Sequence, residues 1–322
     1  CLNQGMTMKS FLNFIVEEAK ENFNEHYGKA YEIATALHVH NMTGSKTNKD
    51  PEHQGRMQKL SKEGKESHDK LPQHLKERAN KAAHASAVAY VESLKKNHGI
   101  NPNDVHEVHH TSKGIGHLTG KESDRIQNPH DIAIKTKNGQ LHGASLKATK
   151  GTLSNNGIGT IDKHGEKSGV KTNLTKIWDE GKKKAGLEGK SNKEIKDKRD
   201  DPKVKEINKQ TQAKAAQHHA DAFNSSSLQQ KREHLKHIMK SGKPDVPYDY
   251  VSGEKGKSTP SHELPHTKSI EKSKHFTATV EKGSNLVKIH DREGNHLATV
   301  EHRPTHGAFS GIQLNTKIGT VK

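Results

Sequence analysis

Residues 128–150 read Asn128-Pro-His-Asp-Ile-Ala-Ile-Lys-Thr-Lys-Asn-Gly-Gln-Leu-His-Gly-Ala-Ser-Leu-Lys-Ala-Thr-Lys150, and the reading of this stretch decides the fold. Ile132 and Ile134 alternate with Asp131, Ala133 and Lys135, while Ala144, Leu146 and Ala148 alternate with Gly143, Ser145 and Lys147. A period of two belongs to a strand with one apolar face, so the pattern predicts two strands joined at Asn138-Gly139. The other face holds a carboxylate, a hydroxyl and an ammonium.

Whether these three groups meet depends on register, because a slip of one residue turns every side chain to the opposite face. A two-residue Asn138-Gly139 loop pairs Thr136 with Leu141 and Asp131 with Leu146, which separates Asp131 from Lys147. A three-residue loop, Lys137-Asn138-Gly139 with Gly139 left-handed as a bulge, pairs Thr136 with Gln140 and Asp131 with Ser145. Asp131, Ser145 and Lys147 then share a face. The sequence permits both turns; the chemistry of the three residues requires the second.

The chain around this hairpin has 322 residues, of which only 28% are hydrophobic and 4% aromatic, so a medium core with much exposed surface is expected. The net charge of +16 favours a polyanion, DNA first, because phosphate contacts supply most of the affinity of such proteins. A solvated lysine surface is the plainer alternative. Cys1 is the single cysteine, which excludes disulfides within the chain and cysteine-based zinc sites. A cysteine in first place reads as a fragment or a misassigned start, with Met6 or Met8 the more natural beginning. The apolar run 11–16 is too short for a membrane span and lacks a cleavage signal. The expectation is a soluble protein without a membrane partner, cytoplasmic in a host cell or internal to a virion.

In chain order, residues 1–72 are expected to form an N-terminal helical region, broken at Gly28, and a polar linker from 41. Its start, with Ile15-Val16-Glu17, resembles capsid-targeting segments of head-internal proteins of large tailed phages. Residues 73–190 form the α/β core: Pro72 opens a helix to about Asn97, ended by Gly99. Residues 105–110 alternate as a strand, residues 153–161 suggest a turn and a short strand, and 173–184 a helix with Trp178 in the core. Residues 191–274 read as a charged helical arm and a Pro/Gly linker. Residues 275–322 carry four strands that either stand as a separate module or complete the central sheet.

A carboxylate at a strand start and a lysine on the neighbouring strand can serve one Mg²⁺-assisted attack of water on phosphate. Pro129-His130-Asp131 with Ser145-Leu146-Lys147 resembles the PD-(D/E)xK nucleases, whose motif has Pro-Asp and acid-x-Lys at these places. The resemblance implies α/β architecture of restriction-endonuclease-like type, a mixed sheet flanked by helices. It implies Asp131 as metal ligand, Lys147 as catalytic lysine, and Mg²⁺ or Mn²⁺ as cofactor. His130 intervenes between Pro and Asp, and Ser145 replaces the usual acid. A neutral hydroxyl is a poor ligand, so another acid must complete the site: Glu92 from the 73–97 helix first, or Glu107 or Asp124. Lys150, Asn155 and Asn156 are expected to border the site and hold a phosphate, with Lys113 a further DNA contact.

The function expected is thus a metal-dependent DNA endonuclease. A non-enzymatic basic DNA-binding or phage head-internal protein with a degenerate nuclease fold is the alternative. A second motif, Glu107-Val108-His109-His110 followed by Asn128, is similar to a His-Asn-His metal finger, but that finger needs a helix after its Asn. His218-His219 and the pair His38 and His40 read as solvated.

Overall fold

The computed structural model describes residues 8–111, 114–120, 129–148, 154–239, 246–304 and 307–319, without the side chains of 8–22, 24, 154 and 155. In chain order the first elements are α1 (Met8–Met42), α2 (Pro51–Asp69), α3 (Gln73–His98), β1 (Val105–His110), α4 (Gly116–Thr119), β2 (Ile132–Thr136) and β3 (Leu141–Lys147). Next come β4 (Ser154–Gly157), α5 (Ile158–Ser168), α6 (Leu174–Lys184), α7 (Asn192–Asp197), α8 (Pro202–Ser225) and α9 (Leu228–Ile238). The chain ends with β5 (Tyr248–Ser252), β6 (Lys257–Pro260), α10 (Pro265–Lys272), β7 (Phe276–Thr279), β8 (Leu286–Asp291), β9 (His296–Pro304) and β10 (Ile312–Ile318). The fold is mixed α/β with two sheets. No helix among the described residues is long and apolar enough to cross a membrane.

Two compact units divide the chain: Cys1–Lys150 with Pro244–Ser261, and Gly151–Lys243 with His262–Lys322. The sequence-based boundaries at 72, 190 and 274 therefore do not follow the compact units. In the first, the sheet order is β1-β2-β3-β5-β6, antiparallel except for the parallel pair β3 and β5. The 241–274 stretch, expected as a linker, instead supplies β5 and the edge strand β6 to this sheet. Tyr248 and Val251 are buried, and Pro260 ends the edge strand, where the missing N–H breaks no ladder. The alternating apolar residues Ile132, Ile134, Ala144, Leu146, Val108 and Val251 face α1 and α3, which contribute Tyr31, Ala83, Tyr90 and Leu94 to one buried cluster. Small residues on α3 (Ala79, Ala82, Ala83, Ser86, Ala87) bring that helix close. Gly28 does not break α1, which runs 35 residues as one helix, because packing on α2 and α3 outweighs the ~1 kcal/mol propensity cost of one glycine.

The second unit holds a fully antiparallel sheet, β4-β10-β9-β8-β7. Thus the C-terminal strands form their own sheet, joined at one edge by β4. The stretch expected as a charged arm is packed structure: α8 lies on β7, β8 and β9 and buries Ala215, Ala216, Ala220 and Phe223. Small alanines make a face that scores weakly as apolar yet packs closely. Asp201 caps α8 ahead of Pro202, and Ser191 and Ser227 form capping boxes with Glu194 and Gln230. Trp178 is fully buried, edge-on to Phe309 at 5.8 Å.

Candidate active site

The turn joining β2 to β3 takes the three-residue form. Gly139 N–H donates to Thr136 O and Thr136 N–H to Gln140 O, both at 2.9 Å, with Gly139 at φ 85. Only a residue without Cβ adopts that left-handed backbone freely, and the bulge it makes sets Ile132 opposite Ala144 and Ile134 opposite His142. Continued by one step, this register brings Asp131 level with Ser145. There the ladder departs from regularity: Asp131 N–H donates to Ala144 O at 2.8 Å, and Leu146 N–H donates to the Asp131 carboxylate at 2.6 Å. The carboxylate is thereby held between the backbone positions of Ser145 and Lys147.

Both sides of Asp131 are fixed. Thr111 N–H donates to Asp131 O at 2.9 Å, and Thr111 Oγ1 donates to His130 O at 2.7 Å. The His130 ring bonds Val246 O through Nε2 at 2.9 Å and lies over Gly143, where a Cβ would fall on the ring. His130, the residue that interrupts the Pro-Asp motif, is thus a spacer that orients Asp131. Ser145 is buried at 4% exposure. Lys147 is half-buried, its carbonyl accepts Gly253 N–H at 2.8 Å, and among the described residues its amine has no ion-pair partner.

A second acid reaches this end of the sheet from α1. Glu32 Oε2 lies 3.3 Å from Nε2 of His110, which pairs with Ile132 in the ladder next to Asp131. The neighbouring Tyr31 hydroxyl bonds Ser86 Oγ at 2.7 Å. Burial raises that phenol well above its usual range; the Ser86 bond opposes this, and the charges of Asp131 and Glu32 add to it. Both carboxylates are therefore in electrostatic reach of one phenol. Sequence reasoning missed Glu32, because α1 read as a packing helix and nothing in its spacing shows which strand end it meets.

Glu92 is not part of this group. It is exposed on α3, six residues beyond Ser86, or about 9 Å farther along the helix. At that level α3 meets the opposite end of β3, where Tyr90 touches His142 and Ser93 touches Asp249. Glu107 is committed elsewhere too, to Arg56 at 2.5 Å, His109 at 3.0 Å and Lys135 at 3.6 Å. Burial pushes its pKa up, but the charges of His109, Arg56 and Lys135 prevail and hold it below the usual range.

Asp124, Lys113, Lys150 and Asn128 lie outside the described residues. The expected phosphate-holding loop is an edge strand of the second unit followed directly by α5: Asn155 pairs with Asn315, and Asn156 is buried at 4% exposure. A buried amide in a ladder is not a donor displayed on a loop, so the reading of Asn156 there is corrected. The His-Asn-His alternative lacks its helix, since β2 follows. His219, expected in solvent, is fully buried and bonds His302 at 3.0 Å and His234 at 2.8 Å.

Among the described residues, one set of three groups could hold a metal ion: His98 at the end of α3, His142 on β3 and Asp249 on β5, whose ligand atoms all fall within 4.8 Å of one another. No protein family, curated protein or solved structure matches the chain.

Proposed function

We propose that the first unit is a restriction-endonuclease-like domain and the protein a metal-dependent endonuclease acting on DNA. The observation that carries this reading is the Asp131 carboxylate, anchored on the Leu146 N–H between Ser145 and Lys147 at the mouth of a mixed, helix-flanked sheet. Asp131 and Glu32 would hold Mg²⁺ or Mn²⁺, a hard cation that takes few protein oxygens and keeps several waters, so a serine at 145 is tolerable. When bound, the ion polarises the scissile phosphate and favours ionisation of the attacking water. The protein's own part is positional. The Leu146 N–H and the Thr111 bond fix Asp131, His110 orients Glu32, and the amine of Lys147 offsets charge developing on phosphate or holds the water.

The surplus of lysine and arginine, 54 against 38 acids, supplies the attraction to the DNA backbone. Within a phage reading, the place of action is the host cytoplasm or the virion interior. Plasmid nicking in Mg²⁺ or Mn²⁺, with EDTA as control, tests the activity. Nicking lost in Asp131→Ala and Lys147→Ala, with DNA binding kept, is the expected result. The replacement of an acid by Ser145 favours one other reading, a DNA-binding protein that has lost cleavage. Wild-type protein that binds DNA and nicks it with no divalent metal tried would establish that alternative.

A further inference from the structure

The odd positions of β3 serve the hairpin mouth, and an even one, His142, faces α3 in a separate polar cluster. Tyr90 is fully buried, with its hydroxyl 3.1 Å from both His142 Nδ1 and the His142 carbonyl oxygen. A phenol carries one proton. Donated to the carbonyl, it leaves the phenol oxygen to accept Nδ1–H, which places the lone pair of the ring on Nε2. In the neutral ring this leaves Nε2 as the nitrogen able to ligate a metal.

That Nε2 is buried, has no hydrogen-bond partner, and faces Asp249 Oδ1 at 3.7 Å. A lone pair and a carboxylate oxygen then confront each other in a site where the carboxylate is fully shielded from water. Asp249 is already oriented: its Oδ2 accepts the hydroxyls of Ser93 and Ser258, and Oδ1 lies 2.7 Å from His98 Nε2. The His98 and His142 rings lie 4.0 Å apart, centroid to centroid. A tetrahedral ion with bonds of about 2.0–2.1 Å sets its ligand atoms about 3.3 Å apart. The gaps of 2.7 and 3.7 Å bracket that spacing. The outer contacts from Tyr90, Ser93 and Ser258 are of the kind that fix ring orientation and carboxylate geometry around a bound metal.

We propose that His98, His142 and Asp249 form a binding site for a transition-metal dication of the zinc type, tying the end of α3 to β3 and β5. Two imidazoles select such an ion over Mg²⁺, so the site differs in chemistry from the oxygen-lined hairpin mouth. The fourth position opens on the His98 side, where the side chain is 13% exposed.

The test uses the full chain, stripped with EDTA and dialysed, and titrated with Co²⁺ while the visible absorption of tetrahedral cobalt is followed. One equivalent should bind with a structured band that Zn²⁺ bleaches and millimolar Mg²⁺ does not. His98→Gln and Asp249→Asn should each weaken Co²⁺ binding about 100-fold or more while far-UV circular dichroism stays unchanged. With 26 histidines in the chain, adventitious binding is expected, and it would be insensitive to both variants. Wild-type protein without the band, or variants that bind as wild type does, would overturn the proposal. Should Asp249→Asn misfold, the partly exposed His98→Gln decides alone. Asp131→Ala must leave the titration unchanged, which keeps this result separate from the fate of the endonuclease reading.

Discussion

Gly143→Ala probes how the sheet positions Asp131. A Cβ at this position falls on the His130 ring, so the ring must leave its place beneath β3 and give up its bond to Val246 O. Overpacking of this kind costs about 1–3 kcal/mol, and the lost buried hydrogen bond adds about 0.5–1.5 kcal/mol, for a destabilisation of roughly 2–4 kcal/mol. Because His130 precedes Asp131, the same displacement moves the carboxylate off the Leu146 N–H, and nicking should fall by more than stability alone explains. The assay is urea unfolding read by two probes. All five tyrosines (27, 31, 90, 248 and 250) belong to the first unit and the single Trp178 to the second, so near-UV tyrosine dichroism and tryptophan emission report separate units. The tyrosine transition should shift to lower urea. His130→Ala in the same chain removes the clash and should recover about 1–3 kcal/mol as a favourable coupling without restoring cleavage. A neutral Gly143→Ala, or a double variant no better than additive, would refute the account of His130 as the spacer.

Glu32→Gln should lower nicking about 100-fold or more with DNA affinity kept, whereas Glu92→Gln should leave the rate within a factor of about two; the reverse order would return the metal site to α3. DNA affinity should fall steeply with salt, linear in log–log form, as counterion release requires, and a flat dependence would remove nucleic acid as the partner. Acid should destabilise the second unit. Burial holds His219 down to about 4 and drives His234 and His302 well below the usual range, so the unfolded chain takes up protons first. The stability that neutral His219 permits is complete above the unfolded value of about 6.5 and is lost as pH falls toward 4, about 2 kcal/mol between pH 7 and 5, and His234 and His302 act in the same direction. Urea midpoints from Trp178 emission that stay level across that interval would contradict the neutral buried state of these rings.

The hairpin was legible because its information is local. Period two, an Asn-Gly turn and the demand that Asp131 and Lys147 approach one another select the bulged register, in which Gly139 is left-handed and Thr136 meets Gln140. The same holds for α3, opened at Pro72 and ended at Gly99. What escaped is non-local. Tyr248 to Ser252 is a short apolar run among prolines and glycines, and its place between β3 and β6 is decided by a parallel partner about one hundred residues earlier. The α8 face is built of alanines, whose burial depends on what they meet rather than on their own hydropathy. His219, misread as solvated, shows the same limit, since imidazole is buried as readily as exposed once its nitrogens find partners.

The division of labour along β3 follows from its pleat. A strand offers alternate residues to opposite faces, so one seven-residue element serves two unlike environments. At its end, Ser145 and Lys147 flank a carboxylate held by a backbone N–H, and oxygen donors of this kind suit a hard cation with its waters and a phosphate. At its start, His142 turns to the helix face, where a neighbouring strand supplies a shielded carboxylate. Two imidazoles and a carboxylate suit a softer ion there. Glu92 lies on α3 alongside the second environment, which is why it cannot serve the first. Glu32 comes from α1, which packs on β1, and meets this end of the sheet through His110. The chemistry of each end is set by which helix level it meets, and that is the information a linear reading of residues 128–150 lacks.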